Sequence, residues 1–254
     1  MSYLTVSTDD VLNTNNNENT FPELTRVFKE RFEMKVQEGS VLKYLNFRIF
    51  QSPLGFSIDQ TDHVMELVNE WFPTGKFRNF DTPFQTCSSY EKELLADLPL
   101  TGHALQKVEM EYHGKFGHTL GRIQHIDLIS IIDICYASCH LETQTVAPTL
   151  PGFEGIKLCV QYLASHPHKP IFYPSSSYDG SNVIRLTWCG NQVEEHTTQN
   201  CLECHQDADH SRIINRRCSV SGIIHTLLGV AVCWKVKIQP AIESDSTDGE
   251  IRCM

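Results

Sequence analysis

Three features of the sequence predict an α+β protein. Residues 41–60 alternate apolar and polar side chains about a Ser52-Pro53-Leu54-Gly55 turn, which is the pattern of a β-hairpin. Between residues 88 and 163, apolar side chains recur instead at helical spacing. Two later runs rich in Val and Ile, 219–228 and 230–239, are split only by Gly229 and read as antiparallel strands joined by a tight turn.

Taken in order, the chain opens with a β-prone run from Tyr3 to Val6 that stops at Ser7-Thr8-Asp9-Asp10 and resumes at Val11-Leu12. Asp is a favoured turn residue, so a hairpin tip accounts for the acidic pair by itself. The same two carboxylates also offer the hard oxygen ligands that Mg²⁺ takes when it bridges to phosphates. Thr20 and Glu23 form a capping-box pattern, Pro22 sits in the first turn, and Leu24, Val27, Phe28 and Phe32 follow at helical spacing. Residues 41–51 read as one strand, with Leu45, Phe47 and Ile49 on one side and Tyr44, Asn46 and Arg48 on the other. Pro53 at the second turn position and Gly55 at the fourth fit a type I turn, and 56–60 return as the second strand. Thr61 or Asp62 starts a helix whose apolar face is Val64, Leu67, Val68 and Trp71. Gly75 breaks the chain, and Asp81-Thr82-Pro83 is extended because of the proline.

Residues 90–98 and 103–116 read as helices separated by Pro99 and Gly102. A long periodic segment over 121–143 carries Ile126, Ile129, Ile132 and Tyr136. Pro151 starts a further helix with Phe153, Ile156, Val160 and Leu163 on one face, and these stripes are core. Short strands over 170–174 and 183–188 flank a linker at 175–181 where Ser, Gly and Asp crowd, the place for a domain boundary. An alternating run then ends on Asp207, followed by a basic loop with Arg212, Arg216 and Arg217. After the two Val- and Ile-rich strands, Ser246-Thr247-Asp248 marks a helix start with Glu250 in its first turn.

Composition bounds the reading. The 254 residues leave room for one or two domains. The 41% apolar and 20% charged fractions describe a soluble globular protein. No apolar run approaches the ~18 residues that span a bilayer, so no membrane is expected. The N-terminus lacks a signal-peptide pattern, so the 10 cysteines read as reduced thiols of a cytoplasmic or nuclear protein, not a secreted one. The formal charge of −10 runs against nucleic-acid binding, which favours clustered Lys and Arg.

Particular motifs narrow this further. The Ser7-Thr8-Asp9-Asp10 tip, Phe32-Glu33-Met34-Lys35, the Y-L-N-F-R-I-F-Q-S-P-L-G-F-S-I-D-Q run over 44–60 and Thr82-Pro83 resemble the reverse transcriptase of copia-type retrotransposons, from its Y-x-D-D motif to the thumb. Ser7 stands where that motif has Tyr. Further on, Ile131-Ile132-Asp133-Ile134-Cys135-Tyr136-Ala137 is similar to the family's R-P-D-x-x-Y-A, with Ile131-Ile132 in place of Arg-Pro. The C-terminal quarter resembles the start of the family's RNase H domain. Gln206-Asp207-Ala208-Asp209-His210 matches S-D-A-D-W, with His210 for Trp. Arg216-Arg217, Ser219, Ser221, Trp234, Lys237, Gln239 and Ser246 to Glu250 follow the rest of the pattern.

That resemblance implies a partial reverse-transcriptase palm hairpin over 1–62 and a helical thumb and connection over 63–175. An incomplete RNase H-like α/β domain over 182–254 completes the implied order. The activities it implies are RNA-directed DNA synthesis and cleavage of RNA in RNA–DNA hybrids, both by two-metal chemistry on Mg²⁺, with an RNA/DNA template-primer as partner. Carried over by position, the catalytic and metal-binding residues are Asp9, Asp10, Asp207 and Glu250. Asp207 is expected at the end of the central one of three strands, with the helix near Ser246 bringing Glu250 within about 8 Å of it. The polymerase centre of the family also takes an Asp from an earlier strand, and its RNase H centre a third carboxylate from a later one. Two carboxylates rarely fix two Mg²⁺ ions, so a truncated, inactive descendant is expected.

A different class of protein is also written in the residues. Cys201-x-x-Cys204-His205 has the spacing of a c-type haem attachment, and His196, Cys201, Cys204 and His205 together offer four zinc ligands. That reading is a non-catalytic zinc- or haem-binding module. Against it, neighbouring strand residues face opposite sides, so Cys204 and His205 do not easily converge on one ion. His166-Pro167-His168 follows a helix, where His suits the C-terminal dipole without any metal.

Overall fold

The computed structural model describes residues 2–7, 10–15, 20–85, 97–175, 202–213, 218–227 and 229–239, and the chain is an α+β protein. At its N-terminus, β1 (Ser2–Ser7) pairs antiparallel with β2 (Asp10–Asn15), the last partners being Ser7 and Asp10. Helix α1 (Thr20–Lys29) follows, as its capping box predicts, but none of its residues is buried.

Residues 41–51 form two strands, not the single one their alternation suggests. β3 (Val41–Tyr44) turns back at once into β4 (Phe47–Ser52) through Leu45 and Asn46, at φ +43° and +64°. Left-handed backbone at both central positions is the type I′ geometry that suits the twist of a hairpin. Asn accepts it readily, whereas Leu is strained there. Alternation cannot reveal such a turn, because a two-residue loop leaves the apolar–polar rhythm unbroken. The next reversal falls where expected: β4 pairs with β5 (Gly55–Asp59) around Pro53-Leu54, with Ser52 opposite Gly55. At the far end of the chain's helical half, β6 (Ile171–Pro174) pairs with β5, so the four-stranded order is β3-β4-β5-β6. Gly55 makes this closure possible. Its φ is +145°, and a Cβ there would meet the Tyr173 carbonyl and lie 2.9 Å from Pro174 Cα.

Between β5 and β6 lie the helices that hold the core: α2 (Thr61–Trp71), α3 (Gly102–Glu111), α4 (Phe116–Ile129), a 3₁₀ turn (Ile132–Ile134), α5 (Cys135–Glu142) and α6 (Leu150–Ser165). The apolar stripes meet as expected. Val64, Leu67, Ile123, Ile126, Phe153, Ile156, Val160 and Leu163 are all completely buried, each worth ~1.5–3 kcal/mol of transfer free energy. Two expected helices are interrupted. The 103–116 stretch breaks before α4 because Gly114 packs on Trp71, where a Cβ would lie 2.7 Å from the indole nitrogen. The 121–143 stretch is helical but stepped at Ser130-Ile131, where Ile131 turns inward. Thr149 caps α6, its hydroxyl accepting from the Gly152 amide at 3.2 Å, with Pro151 in the first turn. Among the described residues no helix is long and apolar enough to cross a membrane.

A third sheet has the order β7-β8-β9, made of β7 (Leu202–Ile213), β8 (Cys218–Leu227) and β9 (Val230–Ile238). Both Val- and Ile-rich strands lie where the sequence places them. The expected end of a strand at Asp207 is corrected: β7 runs six residues further, through Arg212, with its register shifting between Asp209 and Ile213. The helix expected from 90 and the strand expected at 183–188 fall, except for residues 97 and 98, outside the described residues, as does the helix expected near Ser246.

Candidate functional site

Asp10 is exposed at the first residue of β2, and Asp9 adjoins it outside the described residues. Asp207 is exposed on β7, and Glu250 lies outside the described residues, so the Asp207–Glu250 separation is not part of the geometry. Asp207 does not occupy the central strand. Among the described strands β8 is central, and Asp207 sits in the middle of β7, opposite Gly222. The strand order explains this: sequential antiparallel pairing makes a meander, which leaves the first strand at one side.

Pairing across the three strands places Glu203, His205, Asp207 and Asp209 in one row, on the face that also carries Trp234, Val236 and Ile238. His205 Nε2 lies 3.5 Å from the Glu203 carboxylate. Cys204 points to the opposite face, paired with His225, so the strand's own alternation separates it from His205. Cys201 and His196, the other two of the zinc set, are outside the described residues. Magnesium needs several oxygen ligands converging at ~2.0–2.1 Å. Asp10 and Asp207 belong to separate sheets, and among the described residues no group of three or more His, Cys, Asp or Glu side chains could hold a metal ion. These described carboxylates therefore do not make a magnesium site by themselves.

The polar clusters that are built lie elsewhere, where the helical core meets β5 and the segment leading into β6. Where β5 enters α2, Asp59 accepts from the Thr61 hydroxyl at 2.6 Å, the Thr61 amide at 3.1 Å and Arg48 Nη2 at 2.6 Å. Burial alone would raise this carboxyl, but the Thr61 and Arg48 donors outweigh it and hold Asp59 below the usual carboxylate range. It is thus Asp59, not Thr61 or Asp62, that serves the start of α2, and Thr61 Oγ1 lies 3.0 Å from His168 Nδ1. Beside it, Gln60 Nε2 is 3.2 Å from His125 Nδ1, and Ser130 donates to Gln60 Oε1 at 2.7 Å. The His63 ring packs edge-on to His125 with centroids 5.3 Å apart. Burial depresses both imidazoles, and Arg122 and His125 add to the effect at His63.

One residue after His168, the Lys169 ammonium goes to Asp133 of the D-x-x-Y-A segment, which also accepts from the Tyr162 hydroxyl at 2.7 Å. Lys169 also sits over the Tyr162 ring. Burial would raise Asp133, but Lys169 and Tyr162 outweigh it and hold it low. Tyr136 of the same segment packs its ring on Phe84 and His140. Asp133 and Tyr136 are thus framework residues, tying the 3₁₀ turn and α5 to α6 and the entry of β6.

Sequence reasoning missed the Asp59 and His63–His125 clusters. A Ser, Thr or Asp before a helix was a visible signal for Asp59, but His168 and His125 are distant in sequence and left none. Comparison with known proteins adds no relative: no family model, no curated protein and no solved structure matches this chain.

Proposed function

We propose that the chain is a piece of a copia-type retrotransposon polyprotein, running from the reverse transcriptase's acidic motif into the start of RNase H, and that alone it is a non-catalytic remnant. The observation that carries this reading is the antiparallel β1–β2 pair, whose last partners are Ser7 and Asp10. A helix and then a hairpin turning at Pro53-Leu54 follow it in the order the motifs imply. Support at the other end is a three-stranded antiparallel meander with Asp207 on its first strand. The facing Gly222 has open space where a Cβ would be.

In this reading the bound partner is an RNA/DNA primer-template, with the 41–59 hairpin seating the primer end. Nucleotidyl transfer and RNA cleavage both need two divalent ions about 3.5–4 Å apart. The described carboxylates do not supply that arrangement, so no chemical step is assigned to this chain.

Two measurements test the proposal. On a primed RNA template with Mg²⁺ or Mn²⁺ the isolated chain is expected to make no DNA. Primer extension that disappears in an Asp9→Asn, Asp10→Asn double mutant would refute the inactive reading while supporting the family. Genomic sequence on both sides is expected to encode earlier polymerase strands and the rest of RNase H. Flanks encoding neither would sink the family reading itself. Stoichiometric zinc or haem in the purified chain would favour the module built on Cys201, Cys204 and His205.

A further inference from the structure

The ends of α2 and α3 and the middle of α6 meet around a cavity of about 160 Å³, lined by Trp71, Phe72, Glu111, Tyr112 and Lys157. Its aromatic side chains are held from behind. Trp71 is buried, donates its indole N–H to the Thr119 hydroxyl at 3.1 Å and packs edge-on to Tyr112, with centroids 5.9 Å apart. Tyr112 packs in turn on Phe153 and donates its hydroxyl to Glu154. Phe72 packs on Phe77. Side chains fixed on their far sides do not collapse into the space between them.

Two charges of opposite sign line the same space. Lys157 Nζ lies 5.2 Å from the centre of the Tyr112 ring, and the exposed Glu111 precedes Tyr112 and acts on it electrostatically. Neither Lys157 nor Glu111 takes part in a described ion pair, with the other or with any third group. Glu154, one turn before Lys157 on α6, is engaged by the Tyr112 hydroxyl. Volume limits what can enter. Drug-sized sites measure ~300–1,000 Å³, whereas a cavity of ~150 Å³ holds one benzene ring. A bare cation is repelled by Lys157 and a bare anion by Glu111, so the lining suits one ring that carries both charges.

We propose that this cavity binds a free aromatic amino acid, its ring among Trp71, Phe72 and Tyr112, its carboxylate on Lys157 and its ammonium on Glu111. The ring replaces water against three aromatic walls, where offset and edge-on contacts add to simple burial. The two charged contacts fix orientation, and each is a charge-assisted pair. Selectivity follows from the same geometry. A ligand without the ammonium leaves Glu111 facing its carboxylate, and one without the carboxylate brings a second cation beside Lys157. This inference goes beyond the retrotransposon reading and does not rest on it.

Isothermal titration calorimetry of the full chain tests it with three ligands: L-phenylalanine, 3-phenylpropionate, which lacks the ammonium, and phenethylamine, which lacks the carboxylate. Phenylalanine is expected to bind one to one, and each of the other two about tenfold more weakly. In K157M the affinity for phenylalanine is expected to fall about tenfold while that for phenethylamine does not fall. E111Q is expected to lose the preference for phenylalanine over phenylpropionate. No saturable binding of phenylalanine up to about 10 mM overturns the proposal. So does a phenethylamine or phenylpropionate affinity equal to or above that of phenylalanine, or a phenylalanine affinity unchanged in K157M. If a variant does not fold by circular dichroism, the order of the three ligands on the wild type decides alone.

Discussion

Helix α1 and helix α6 look alike in sequence and behave differently in the fold. Both start with a capping residue and a proline in the first turn, and both carry an apolar stripe. Yet α6 buries ten of its residues, among them Phe153, Ile156, Val160 and Leu163, while α1 buries none. Around α1 the apolar residues Val6, Val27 and Phe32 remain exposed, Val6 and Phe32 by 61% each. The difference teaches that periodicity decides which face of a helix is apolar, and only the neighbours decide whether that face is covered. It also separates two kinds of acid. The carboxylates that resemble catalytic residues, Asp10 and Asp207, lie exposed on sheets. Asp59, Asp127 and Asp133, each taken up by side-chain donors, belong to the helical half and its junctions.

The sharpest way to break this comparison is truncation of matched aromatic residues. Phe153→Ala should cost about 3–5 kcal/mol, because it empties a fully enclosed site against Phe116 and Tyr112. Urea unfolding followed by circular dichroism reads this directly, and a loss below about 1 kcal/mol would contradict the packing.

Next in size is the dependence of stability on pH, in which two opposing contributions cross. For Asp127 the folded value, about 6, lies above the unfolded 3.8. Its favourable contribution is therefore complete below 3.8 and lost as pH rises through about 6. At ~1.4 kcal/mol per pH unit this loss is on the order of 3 kcal/mol. For His63 and His125 the folded values lie below 6.5, so their contribution is complete above 6.5 and lost as pH falls through the lowered values. Unfolding free energies measured from pH 4 to pH 8 should show a decline as pH rises towards 6, which D127N removes, offset by a gain as pH rises to 6.5, which His63→Phe weakens. A decline towards pH 6 that persists in D127N would assign it to another group.

Gly55→Ala comes third, at about 1–3 kcal/mol, because the new Cβ meets the Tyr173 carbonyl and the φ of +145° disfavours a side chain. Hydrogen exchange of the β6 amides should accelerate while that of α6 holds. Protection unchanged in β6 would show that the β5–β6 pairing tolerates the methyl group. The smallest effect is expected at Phe32→Ala, within about 0.5 kcal/mol, since that ring is mostly in solvent. A cost of several kcal/mol would mean that something covers α1, and the contrast with α6 would fail.

Much of the fold was legible in the residues. The Pro53-Leu54 reversal, the α2 and α6 stripes and the two strands about Gly229 follow from turn chemistry and from periods of two and 3.6, which are local properties. What local rules missed were features with no local mark. A two-residue turn at Leu45-Asn46 keeps the alternation intact, and the steps at Gly114 and Ser130 arise from what each packs against. For the candidate site, the acidic hairpin tip was readable because an Asp pair between two β-prone runs already specifies its own turn.

The sequence alone determined the α+β class, the faces of the core helices and the hairpin that carries Asp10, because each depends on side chains within about ten residues of one another. The tertiary structure decided that β6 closes the sheet beside β5 and that Asp207 lies in mid-strand. It also joined Thr61 to His168 and seated Trp234 on Asp127, pairs separated by more than 100 residues. Contacts at such separations are chosen by which surfaces exclude water together. No stretch of chain encodes that choice by itself.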